Sequence, residues 1–128
     1  MEDSIFTKII KGEIPCYKIY EDERTFAFLD IQPESEGHTL VIPKKQVDKI
    51  YDLPDVDYVA LMKTVKKVSK RMEEVLGERV VWKVMGTEVP HAHVHVMPID
   101  LTWEYGRHLN VPDDEMQRVC KKLAFEDD

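Results

Sequence analysis

The stretch His91-Ala92-His93-Val94-His95-Val96-Met97 decides how this chain is read. Successive side chains of a β-strand point to opposite faces. Extended, the segment sets three imidazoles in a row on one face and Ala92, Val94 and Val96 on the other. The apolar face suits a core, whereas packing gives no reason for an all-histidine face. Imidazole serves as base, acid, nucleophile or metal ligand near neutral pH, so the row predicts a site built on a strand. A solvent-facing strand edge is the plain alternative. It weakens with three histidines in register and with His38 opening another apolar stretch.

The flanking sequence reads as an α+β domain. Residues 80–85 and 91–98 form an antiparallel hairpin across Gly86-Thr87-Glu88-Val89-Pro90. Residues 54–76 carry a helical stripe of Val59, Met62, Val65, Val68 or Ser69, Met72 and Val75-Leu76. Asp52 is its expected N-cap, Pro54 and Asp55 suit the first turn, and Gly77 suits the position just past the end. Residues 17–20 and 25–30 make an aromatic hairpin, and 38–43 a further strand with His38, Leu40 and Ile42 on one face. Between them, Gln32-Pro33-Glu34-Ser35-Glu36-Gly37 has loop composition. A short helix spans 5–10, and a terminal helix over 112–125 buries Met116, Val119, Cys120 and Leu123. The sum is an antiparallel meander sheet of about five strands with one long helix and a C-terminal helix. One sheet face would rest on the helix and the other stay free for a ligand or a second subunit.

Composition narrows the class. A chain of 128 residues is expected to be one domain, 1–128, burying roughly 65–70% of its unfolded surface. Its 43% hydrophobic and 34% charged residues are those of a soluble globular protein. No apolar run approaches the ~20 residues of a membrane span, and the acidic start lacks the pattern of a signal peptide. A cytoplasmic location is expected, with Cys16 and Cys120 as reduced structural thiols. The net charge of −7 argues against nucleic acid as partner, though not against a small nucleotide.

Two site chemistries compete for the histidine row. In one, a His-x-His pair chelates a transition metal, with His38, Asp100 or Glu88 as third ligand. In the other, the middle imidazole attacks phosphorus while its neighbours fix its tautomer and donate to phosphate oxygens.

Gly37-His38-Thr39-Leu40-Val41-Ile42-Pro43-Lys44-Lys45, followed by His91-x-His93-x-His95, resembles the histidine triad family. Ile5-Phe6-x-Lys8-Ile9-Ile10-x-Gly12-Glu13-Ile14-Pro15 is similar to the family's opening, and Ala27-Phe28-Leu29-Asp30-Ile31 to its ribose-binding segment. Four ordered motifs over about the first hundred residues match the small, single-domain, Hint-like branch. The resemblance implies a purine nucleotide hydrolase that needs no metal or other cofactor. His93 would be the nucleophile on the α-phosphorus, giving a nucleotidyl-histidine that water resolves. His91 and His95 would orient it and stabilise phosphate charge, with His38 assisting from the adjacent strand. Asp30 would bind the ribose, and Phe6, Ile9, Ile14, Phe28 and Ile31 would line the purine pocket. The resemblance further implies a homodimer with joined sheets. A nucleoside phosphoramidate is the expected substrate, with dinucleoside polyphosphates second.

Two departures matter. Where small bacterial members often carry a zinc-binding Cys-x-x-Cys, this chain has Ser4 and Thr7, so no structural zinc is expected. The loop before the triad is shortened to Val84-Met85-Gly86-Thr87-Glu88-Val89-Pro90, with Thr87 in place of Gln and Glu88 in place of a phosphate-contacting Ser. Both are taken as nucleotide-contacting candidates, and three destinations are open to Glu88: the leaving group, an imidazolium, or solvent. The altered pair motivates a rival function, a nucleotide-binding regulatory module with vestigial hydrolysis. The tail 101–108 matches no family motif, and His108 there reads as an ordinary exposed histidine.

Overall fold

In a computed structural model, which describes residues 2–100, 103, 104 and 106–125, five antiparallel strands form one sheet. They are β1 (Lys18–Glu21), β2 (Thr25–Leu29), β3 (Thr39–Pro43), β4 (Arg79–Lys83) and β5 (Val94–Ile99). Three helices accompany them, α1 (Ile5–Ile10), α2 (Asp55–Leu76) and α3 (Asp113–Leu123). The α+β class, the strand number, the long helix and the C-terminal helix are those the sequence predicts. The strand order is β1-β2-β3-β5-β4. The first three strands form a meander, α2 carries the chain to the far edge, and β5 returns between β3 and β4. The strand carrying the last triad histidine is therefore interior, with His95 opposite Leu40 on one side and Lys83 on the other.

Period-two alternation divides the sheet's two faces. Ala27, Leu29, Val41, Val94 and Val96 join Leu61, Val65, Val68 and Met72 of α2 and Met116, Val119 and Leu123 of α3 in the main core. Phe26, Phe28, Leu40 and Ile42 point the other way and are covered by Phe6 of α1. Every residue of β2 and β3 is consequently buried. The expectation of a free second face is corrected there, because four large apolar side chains need a cover and α1 supplies it.

Three local expectations also shift. Helix α2 buries Leu61, Thr64, Val65, Val68 and Met72, while Val59 is 48% exposed, so the inward stripe runs one position away from that read at its N-terminal end. Asp52 lies in a 3-10 turn, Ile50–Asp52, and Pro54 occupies the N-cap without a side-chain hydrogen bond. At the other end Gly77 takes the left-handed conformation, φ +74°, and its N–H bonds Glu73 O as a C-terminal cap. The third shift concerns the histidine row, since β5 begins at Val94 rather than His91. Pro90 has no N–H for a ladder, His91 N turns back to Val89 O, and Ala92 N bonds Val47 O. Alternation nevertheless survives, with Ala92 in the main core and His91 and His93 against Phe6.

Gly37 adopts φ +101°, and a Cβ there would stand 2.8 Å from Leu76 Cδ1. The positive φ favours glycine there, and a side chain would also have to displace the Leu76 tip. The turn it allows closes the loop after β2, with Asp30 N donating to His38 O and His38 N to Ser35 O.

Candidate active site

Two histidine pairs have their protons placed by their partners. His38 Nδ1 accepts the Glu34 N–H at 3.0 Å, so its proton sits on Nε2 and donates to His95 Nδ1 at 2.8 Å. The proton of His95 is thereby placed on Nε2. His93 Nδ1 lies 2.7 Å from the His91 carbonyl, which only accepts, so His93 carries its lone pair on Nε2. The His93 and His95 rings meet edge to face at 5.2 Å. A lone pair and an N–H donor therefore stand side by side on neighbouring imidazoles.

Burial favours the neutral form of the His38, His91 and His95 rings. Desolvation, then the adjacent His95, pulls the His38 pKa down to about 3. Desolvation, then His93, pulls that of His95 down to about 4. His91 is fully buried and also lowered by desolvation, with its bond to Pro43 O acting in the opposite sense.

His93 and His95 line a cleft together with Asp30, Glu88 and Lys83. Asp30 lines it with Oδ1 accepting the Gln32 N–H at 2.8 Å, and burial raises its pKa. His38 Nε2 is 3.6 Å from Asp30 Oδ2, behind the cleft wall. His91 does not reach the cleft; its nitrogens are engaged by Pro43 O and Ser4 Oγ. Of the other positions singled out in the sequence, Phe6 and Phe28 form the core immediately behind the histidines, 5.6 Å apart. Ile9 packs on that same cluster, Ile14 is half-buried, Thr87 is exposed on the loop, and Ile31 is 73% exposed. The structure thus brings Asp30, Glu88, His93 and His95 together at one cleft, with His38 bonded to His95 behind its wall.

Sequence reading missed other parts of the wall. Glu34, 3% exposed, ion-pairs with Lys83, and both line the cleft. Its carbonyl accepts from Arg107, while His108 Nδ1–H donates to Gln32 O and Leu109 N to Pro33 O. The segment after β5 is thereby stitched onto the loop 31–37, and His108, though exposed, lines the cleft. Leu101, Thr102 and Tyr105 of the tail lie outside the described residues. Loop composition concealed Glu34, since nothing local marks a carboxylate that becomes buried. Lys83 carried a weak signal as a charge on an apolar strand.

The metal alternative fares poorly on these contacts. Asp30, His38 and His95 bring potential ligand atoms within 4.8 Å of one another. The facing nitrogens of the two histidines already share a hydrogen bond, which a cation would have to break. A His91–His93 chelate is not assembled, because three of its four nitrogens face other partners. At the Cys-x-x-Cys positions, the hydroxyls of Ser4 and Thr7 are hydrogen-bonded and neutral, a donor set that does not fit structural zinc.

Residues 11–101 match the HIT domain family. An uncharacterized HIT-like protein of Methanocaldococcus jannaschii is 43% identical over 126 residues, covering 91% of this chain and 98% of that protein. The adenosine 5′-monophosphoramidase of Saccharomyces cerevisiae is 43% identical over 98 residues, 73% of this chain and 61% of that one. Among solved structures, a Hit-like protein involved in cell-cycle regulation from Bartonella henselae superposes with a TM-score of 0.85. It is 30% identical and covers 94% of this chain and 93% of that one.

Proposed function

The chain belongs to the HIT domain family, and on that footing we propose that it hydrolyses a purine nucleotide at the α-phosphorus through a nucleotidyl-histidine. One observation carries this reading: the His91 carbonyl leaves a lone pair on His93 Nε2, while His38 leaves a proton on His95 Nε2. A nucleophile and a phosphate donor so placed need no rearrangement before attack. His93 Nε2 forms the bond to phosphorus, the leaving group departs with a proton taken from solvent, and water then displaces the histidine and returns that proton. Asp30 receives the ribose hydroxyls, and the exposed Ile31 beside it offers an apolar surface to the base.

The charge on the walls favours one leaving group. Asp30, Glu34 and Glu88 face a single lysine, Lys83, which is paired with Glu34. A departing amine, protonated to an ammonium ion, suits that field, whereas phosphate or sulfate is repelled by it. The substrate is accordingly a nucleoside phosphoramidate, with dinucleoside polyphosphates second. The S. cerevisiae relative is an adenosine 5′-monophosphoramidase, an activity of the same kind.

The partner is a second copy of the chain. Among the described residues strand β4 is an edge of the sheet; Trp82 on it is 50% exposed, and Val84 and Met85 just beyond it are 50% and 38% exposed. Edge-to-edge pairing would satisfy the strand's free N–H and C=O groups and join two sheets. Sedimentation should give a dimer, and Trp82→Lys should weaken it; a monomer at high concentration would overturn this. Among the described residues no helix is long and apolar enough to cross a membrane, and the free thiols Cys16 and Cys120 fit a reducing cytoplasm.

His93→Ala tests the chemistry. Turnover of an adenosine phosphoramidate should vanish while nucleotide binding, followed by calorimetry, persists. Intact mass of the wild-type protein, trapped under denaturing conditions without acid, should display an added nucleotidyl group. Tight binding with neither adduct nor product would make the protein a regulatory binding module instead.

A further inference from the structure

We propose that Ser4, Thr7 and Gln46 act as positioning residues for the nucleophile, holding it through His91. Ser4 is the N-cap of α1, and its Oγ accepts the Thr7 N–H at 3.0 Å, the ordinary task of such a residue. The same oxygen lies 2.7 Å from His91 Nδ1, eighty-seven residues along the chain. Because His91 Nε2–H donates to Pro43 O at 2.8 Å, Nδ1 holds the lone pair and the Ser4 hydroxyl must donate to it. Gln46 completes the cluster, its Oε1 accepting from Ser4 N at 2.7 Å and from Thr7 Oγ1 at 2.6 Å. Its amide nitrogen in turn donates to Glu2 O at 2.8 Å.

His91 is fully buried and absent from the cleft wall, so its ring cannot meet the substrate. Its carbonyl, however, holds His93 Nδ1–H at 2.7 Å. Ser4 at one nitrogen and Pro43 at the other fix the His91 ring, and the ring fixes the peptide bearing that carbonyl. Phe6, on the same short helix, meets the His93 ring edge to face at 5.1 Å. Helix α1 therefore grips the nucleophile directly through Phe6 and indirectly through Ser4. Loosening the second grip should disorder His93 and lower the rate of attack without touching nucleotide contacts.

The inference rests on His93 being the nucleophile, so its test carries one readout independent of turnover. Ser4→Asp keeps a good N-cap but cannot donate to His91 Nδ1. Ser4→Gly removes the hydroxyl at small cost to the helix, and Ser4→Thr restores it. With adenosine phosphoramidate as substrate, Ser4→Asp and Ser4→Gly should lose about tenfold in kcat with KM unchanged, the size of one lost buried hydrogen bond. Ser4→Thr should recover most of the rate, and Gln46→Met should lose an intermediate amount. Imidazole nitrogen NMR should find the His91 Nδ1 resonance shifted in Ser4→Gly and the His93 Nδ1–H broadened. Folded Ser4→Gly and Ser4→Asp proteins with wild-type kcat would overturn the proposal, as would equal losses in kcat and binding. If the wild type proves inactive, the nitrogen spectra still decide whether Ser4 holds the ring pair, separating this failure from that of the proposed chemistry.

Discussion

His38 Nε2 donates to His95 Nδ1 across 2.8 Å, from the residue just before β3 to the second residue of β5. The bond turns a backbone amide, Glu34 N–H, into a determinant of which nitrogen His95 presents to the cleft. A histidine outside the 91–95 row thus sets the chemistry of one inside it. His38→Asn can keep an acceptor for Glu34 and a donor for His95, and should retain much of the activity. His38→Leu breaks both bonds and should cost 10- to 100-fold in kcat, about 1.4–2.8 kcal/mol. Steady-state kinetics on a phosphoramidate checks this, and equal activity of the two variants would refute it.

Acid should destabilise the fold over a defined window. His38, His91 and His95 have native pKa values below the ordinary 6.5, so the unfolded chain binds more protons as pH falls beneath that value. Their stabilising contribution is complete above about 6.5 and is lost progressively down to about 4 for His95 and about 3 for His38. Asp30, raised by burial, acts in the opposite sense and softens the decline. Thermal melts from pH 7 to pH 4 should record a falling Tm, with a shallower slope in His38→Asn.

Lys83 and Glu34 should behave as a unit. Glu34 is 3% exposed, so Lys83→Met strands a buried carboxylate and should cost about 3 kcal/mol, roughly 10 °C in Tm. Replacing both, Lys83→Met with Glu34→Leu, should regain most of that loss. A double-mutant cycle by chemical denaturation reads the coupling, and additive losses would contradict it.

Glu88 should discriminate between leaving groups. Its carboxylate lines the cleft beside Asp30, whose pKa is raised chiefly by burial and, to a smaller extent, by the Glu34 and Glu88 carboxylates. Glu88→Gln should raise kcat/KM for a dinucleoside polyphosphate several-fold relative to an amine-leaving phosphoramidate. An unchanged ratio of the two would assign Glu88 to solvent.

The fold class, the hairpins, the long helix and the alternating faces were legible because each depends on local periodicity. His93 and His95 were legible for the same reason, and Asp30 through its motif. Period-two spacing, however, says only which side of the sheet a residue takes, not what covers that side. The burial of His91 against Ser4 and Phe6 depends on a helix eighty-seven residues upstream of the histidine it meets. The Glu34–Lys83 pair and the tail segment at His108 join positions 49 and 76 residues apart along the chain. No local pattern encodes such meetings.

The sequence alone determined that the imidazoles of 91–95 share one side of the extended chain and the apolar side chains the other, because alternation is a property of the backbone. Only the tertiary structure decided which nitrogen of each imidazole bears the proton. That choice belongs to the partner opposite each ring: the Glu34 amide, the His91 carbonyl, the Pro43 carbonyl and the Ser4 hydroxyl. Donors and acceptors fix a tautomer through contact, and contact between distant segments exists only once the chain has folded.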